Sequence, residues 1–89
     1  MTDLRLYGNS IGDSGAKAIA EALKVNAVLN RLELHWNNIG DSGATAIAEA
    51  LKANAVLTTL WLENNNIGGA AKVQLRDVAA SRPSLKIDL

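Results

Sequence analysis

Two hydrophobic rhythms take turns along this chain. In Leu32-Glu33-Leu34-His35 two leucines point to one face and two polar residues to the other, the alternation of a half-buried strand. Beyond Asp41, the residues Ala44, Ile47, Ala48 and Leu51 follow i, i+3, i+4, i+7 spacing, which predicts a helix with one apolar stripe. The same pair of patterns recurs earlier and later in the chain at a fixed period. Leu4, Leu32 and Leu60 align, as do Leu6, Leu34 and Leu62, Asn9, Asn37 and Asn65, Ile11, Ile39 and Ile67, and Gly12, Gly40 and Gly68. Residues 4–31 and 32–59 are identical at 20 of 28 positions.

A three-turn helix and a short strand cannot bury these leucines alone. Copies stacked side by side can, giving a parallel sheet on one face and a layer of helices on the other. The units are read as residues 4–31, 32–59 and 60–85, with a closing strand over 85–89, all in one domain spanning 1–89. Asp13 and Asp41 stand at helix starts, where a carboxylate is expected to cap its own helix. Asn26 and Asn54 fall at helix ends, where asparagine tolerates the left-handed conformation of a C-cap. Asn9, Asn37 and Asn65 close each strand, and their amides are expected to form a ladder of bonds to backbone groups exposed at the bend.

The string Leu-x-x-Leu-x-Leu-x-x-Asn-x-Ile, present in Leu29–Ile39 and Leu57–Ile67, resembles the leucine-rich repeat. The 28-residue period and the segment Gly-Asp-Ser-Gly-Ala-x-Ala-Ile-Ala-Glu-Ala-Leu are similar to the ribonuclease-inhibitor-like class found in NOD-like receptors. That resemblance covers essentially the whole chain. It implies an α/β leucine-rich repeat solenoid, a segment of a right-handed α/β horseshoe, with protein recognition on its concave sheet face.

The third unit departs from the pattern. Gly68-Gly69 replaces Gly40-Asp41, so the third helix is expected to lose its capping carboxylate, at a cost of ~1 kcal/mol. Arg76 stands where the earlier units have Ala20 and Ala48, as on an exposed last helix. Pro83 ends that helix before Leu85-Lys86-Ile87-Asp88-Leu89. At the other end the chain opens directly into the strand carrying Leu4 and Leu6. An uncapped solenoid edge invites association, so Leu4 and Leu6 are read as a self-association edge and a homo-oligomer is expected. A piece of a longer array would look the same.

Composition narrows the function classes. Nine basic and nine acidic residues cancel, which gives no pull toward nucleic acid or an anionic membrane. No apolar run approaches the ~18 residues of a membrane helix. Met1-Thr2-Asp3-Leu4-Arg5 does not read as a signal peptide, and cysteine is absent, so a cytoplasmic location is expected. The single histidine, His35, beside Glu33 or Glu63 makes a poor metal site, and no metal or cofactor is expected. Gly68-Gly69-Ala70-Ala71-Lys72 lacks the Gly-Lys-Ser/Thr ending of a phosphate loop. With serines only in turns and caps and no nucleophile–base pair in sight, no enzyme is expected.

The positions that vary between near-identical units mark what the fold leaves free. Units one and two differ at Arg5/Glu33, Tyr7/His35, Gly8/Trp36, Ser10/Asn38, Lys17/Thr45, Val25/Ala53, Asn30/Thr58 and Arg31/Thr59. Six of these eight pairs lie in or beside the strands. Outward strand positions are expected to form columns: Asp3, Arg31, Thr59 and Lys86, then Arg5, Glu33, Trp61 and Asp88, then Tyr7, His35 and Glu63, with Trp36 and Asn64 just beyond. All three aromatic residues fall on this face, and aromatics flanked by charges are the composition of protein hot spots. Arg5, Tyr7, Arg31, Glu33, His35, Trp36, Trp61 and Glu63 are therefore the candidate protein-binding residues. The partner's identity is not written in them. A self-assembling structural module and a docking regulator of an enzyme are the alternatives.

Overall fold

The computed structural model describes residues 3–89, and Met1 and Thr2, on which part of the leader reading rests, lie outside them. Seven elements alternate: β1 (Asp3–Arg5), α1 (Gly12–Val25), β2 (Arg31–Glu33), α2 (Asp41–Ala53), β3 (Thr59–Trp61), α3 (Gly69–Ser81) and β4 (Lys86–Asp88). The strands form one parallel sheet in the order β1-β2-β3-β4. Leu4 pairs with Leu32, Leu32 with Leu60, and Leu60 with Ile87. The last step is shorter than the others by a single position, because the turn between α3 and β4 has one residue fewer than the turn between α2 and β3. Parallel pairing continues past the short strands, with Leu6 N donating to Glu33 O at 2.9 Å and Leu34 N to Trp61 O at 2.8 Å.

The core lies between sheet and helices. Leu32, Leu34, Ile39, Ile47, Leu51, Leu57, Leu60, Leu62 and Leu75 are fully buried. Alanines at Ala16, Ala20, Ala44 and Ala48 are buried on the helix stripes and let neighbouring helices approach closely. The closest approach is at Gly43, where a Cβ would lie 2.7 Å from Asp13 Oδ1 and 2.8 Å from the Ala16 methyl. No helix among the described residues is long and apolar enough to cross a membrane.

The asparagine ladder forms as the period predicts. Asn37 Oδ1 accepts from Asn9 N at 2.8 Å, while its Nδ2 donates to Leu6 O and Leu34 O. Asn65 repeats this one unit on, accepting from Asn37 N and Ile39 N, both at 2.9 Å. Asn37 is wholly buried, so its amide supplies partners to backbone groups that water cannot reach.

The caps differ from expectation in an instructive way. Neither Asp13 nor Asp41 caps its own helix. Asp13 Oδ1 accepts from Gly40 N at 2.7 Å and Gly43 N at 3.0 Å, at the start of α2. Asp41 Oδ1 accepts from Gly68 N at 2.5 Å, at the start of α3. Each carboxylate sits at N1 or N2 of its own helix and leans sideways onto the next. The third helix therefore keeps a capping carboxylate, contrary to the loss expected at Gly69. Among the described residues it is α1 that has none, and there Ile11 sits at the N-cap with no side-chain bond.

The helix ends also depart from the left-handed cap. Asn26 and Asn54 have φ of −81° and −100°, in the extended region. Their side chains turn the chain instead. Asn54 Oδ1 accepts from Val56 N and Leu57 N, and Nδ2 reaches back to Leu23 O at 2.9 Å and Asn26 O at 3.1 Å. In the third unit Arg82 takes this place. Its guanidinium donates to Leu51 O, Asn54 O and Leu57 O at 3.1, 2.5 and 2.7 Å.

Candidate protein-binding face

The outward face of the sheet is set by the strand register. Asp3, Arg31, Thr59 and Lys86 form one column, and Arg5, Glu33, Trp61 and Asp88 the next. The leucines between them point inward, so every second residue of each short strand is free to face out. Tyr7, His35 and Glu63 follow just beyond the strands, where the ladder bonds still hold the backbone in line.

One connected network crosses these columns. Glu33 Oε2 receives Arg31 Nε at 3.1 Å and Arg5 Nε at 3.3 Å. Asp3 lies 3.9 Å from the Arg5 guanidinium. The Arg31 guanidinium sits 4.3 Å over the Trp61 ring, within cation–π range. His35 stacks on Tyr7 with centroids 5.0 Å apart and planes 12° from parallel, and meets Trp61 at 5.5 Å and 59°. Residues from three units thus make a continuous aromatic and cationic stripe.

The structure sorts the eight candidates. Tyr7 and Arg5 are exposed, while Arg31, His35, Trp61 and Glu63 are half-buried. Glu33 is not available as a contact residue. It is only 5% exposed, and both arginines close over its carboxylate. Burial of a carboxylate demands paired donors, and the cross-strand arginines provide them. Glu33 therefore positions Arg5 and Arg31. Trp36 stands at the bend, 60% exposed, with φ of +60°. His35 Nδ1 and Glu63 Oε1 are buried without a hydrogen-bond partner among the described residues.

Sequence columns identify the members of this network but not its wiring. The arginine-to-Glu33 pairing follows from strand neighbours, Arg5 beside Glu33 in register and Arg31 two positions along the same strand. Asp3, a member of the columns but not one of the eight candidates, holds the outer side of Arg5.

No group of three or more histidine, cysteine or acidic residues arranged to hold a metal occurs among the described residues. A shallow groove of about 200 Å³ lies on the helix side between α2 and α3, lined by Glu49, Lys52, Asp77 and Val78 among others. It is separate from the sheet face.

A family model described as leucine-rich repeat matches residues 1–20 and 25–48. No curated protein matches the sequence. Among solved structures, the chain is similar to the actin-binding site 2 of leiomodin-1, with a TM-score of 0.88 and 28% identity. The match covers 98% of this chain and 51% of that one, so the chain spans about half the length of that structure. The repeat register, the parallel strand–helix layers and the family match agree that this chain is a leucine-rich repeat protein.

Proposed function

We propose that the chain is a non-catalytic binding module that presents its sheet face to a protein partner. The observation that carries this reading is the stripe formed by Tyr7, His35, Trp61 and Arg31. Interface hot spots are enriched in tyrosine, tryptophan and arginine, held rigidly beside charged neighbours. Here the ring stack and the buried Glu33 hold those side chains in place before any partner arrives, which lowers the entropy lost on binding. The repeat period supports membership of the ribonuclease-inhibitor-like class, whose sheet face is the concave one.

Similarity to a structure named as an actin-binding site supports a protein partner and makes actin the first one to test. The experiment titrates monomeric actin with the wild-type chain and with Trp61→Ala, Arg31→Ala and, on the helix side, Glu49→Ala. Trp61→Ala and Arg31→Ala should each weaken binding about tenfold, equivalent to ~1.4 kcal/mol, with Glu49→Ala unchanged. Binding that is lost in Glu49→Ala and kept in Trp61→Ala would move the site to the helix layer. If actin does not bind, it is removed as the partner.

A further inference from the structure

The contact between units has a direction. Carboxylates reach forward, from Asp13 to the start of α2 and from Asp41 to the start of α3. Amides and the guanidinium reach backward. Asn37 and Asn65 accept from backbone of the unit before, Asn54 donates to Leu23 O and Asn26 O, and Arg82 donates to Leu51 O and Asn54 O.

On unit one the backward-reaching atoms meet nothing among the described residues. Asn9 makes hydrogen bonds through Nδ2, to Leu6 O and Tyr7 O, and through its backbone N, while its Oδ1 has no partner among them. Asn26 bonds through Oδ1 to Val28 N and Leu29 N, while its Nδ2 has none there. These two atoms are the counterparts of those by which Asn37 and Asn54 grip the preceding unit. The apolar surface beside them is open as well. Leu4, Leu6, Ile11 and Ile19 are only partly buried, whereas their counterparts Leu32, Leu34, Ile39 and Ile47 are completely covered. Val28 is 60% exposed on the same unit.

We propose that this face of unit one docks a further leucine-rich unit carrying a carboxylate at the position of Asp13 and Asp41. Such a unit continues the established interface. Its backbone amides meet Asn9 Oδ1, its helix-end carbonyls meet Asn26 Nδ2, and its carboxylate reaches the start of α1. The bend before α1 is set differently from the next one in a way that fits a missing carboxylate. Gly12 has φ of +68° and gives its N–H to Asn37 O, whereas Gly40 has φ of −100° and gives its own to Asp13.

A second copy of this chain is a poor occupant. Stacked head to tail, it brings β4 at the sheet edge and α3 in the helix layer, where Gly69 stands in place of the aspartate with open space where a Cβ would point. The same face carries Arg76 where Ala20 and Ala48 are covered by the next helix, so stacking there buries an unpaired guanidinium. On this proposal the open edge takes a further unit of another kind where the sequence led to the expectation of a second copy. The edge of the solenoid is a different surface from the outward sheet face, and docking there does not depend on binding at that face.

The test compares the unmodified chain with one in which residues 32–59 are repeated once directly before Leu4, which keeps the period. Amide hydrogen exchange is read across both, with α2 and α3 as internal controls for folding. The added unit should slow exchange in β1 and at Gly12–Gly15 about tenfold or more. Replacing the added copy of the aspartate at position 41 by glycine should remove the slowing at Gly12–Gly15 and keep that in β1. Unchanged exchange in unit one, with α2 and α3 still protected, overturns the proposal. So does sedimentation of the unmodified chain as a dimer that Leu4→Glu dissociates, since a second copy then fills the face.

Discussion

Gly8, Trp36 and Asn64 occupy the same place in successive units and turn the chain with φ of 73°, 60° and 60°. The conformation is free for glycine and tolerable for asparagine, but for other residues Cβ crowds the backbone at a cost of ~1–2 kcal/mol. Trp36 bears that cost and regains little by burial, since it remains 60% exposed. A strained, exposed aromatic beside the stripe of Tyr7, His35 and Trp61 points to use rather than packing. Trp36→Gly restores the residue found in unit one. It should raise stability in urea by about 1 kcal/mol while weakening the binding proposed for the sheet face. A loss of stability on this change would show instead that the indole holds the bend together, and Trp36 would leave the set of candidate contact residues.

At the scale of elements, the helix caps belong to neighbours. Asp13 lies in the first turn of α1 but serves α2, and the close contact at Gly43 exists because the carboxylate must enter there. Asp13→Ala should therefore cost ~1 kcal/mol and speed amide exchange in the first turn of α2, at Gly40 to Ala44, while the start of α1 is unaffected. Faster exchange confined to Gly12–Ala16 would return the aspartate to its own helix. The strands, the helices and the outward columns are all legible in the sequence, because a constant period converts one unit's pattern into the whole array. The asparagine ladder is legible for the same reason. What a single unit does not disclose is which neighbour receives a side chain. Asp13 and Gly40 lie almost a full repeat apart in sequence, and a cap read locally assigns the carboxylate to the wrong helix. Arg82 escapes sequence reading because it shares no chemistry with Asn26 and Asn54 beyond donating, yet its longer side chain reaches the same carbonyls and one more. The burial of Glu33 is equally hidden. Its outward position suggests exposure, and only the convergence of Arg5 and Arg31 closes it off.

For the molecule as a whole, stability in such an array is a sum of unit terms and contacts between neighbours, so a unit flanked on both sides is held more firmly than one flanked on one. Unit two is flanked by α1 and α3, and its leucines have no solvent contact. Unit one keeps Leu4 and Leu6 only partly covered. Equivalent truncations should then cost different amounts. Leu34→Ala removes a side chain enclosed on every side and should cost about 3 kcal/mol, while Leu6→Ala, at the same place in unit one, should cost roughly half as much, because solvent already reaches it and no closed cavity forms. Denaturant unfolding of the two variants measures the difference. Native-state exchange measures its counterpart without mutation, with amides of β1 and α1 opening by local fraying and those of β2 and α2 only near the global unfolding energy. Equal costs for the two leucines, together with uniform exchange, would mean that the chain unfolds as one unit and that the open edge of unit one carries no penalty.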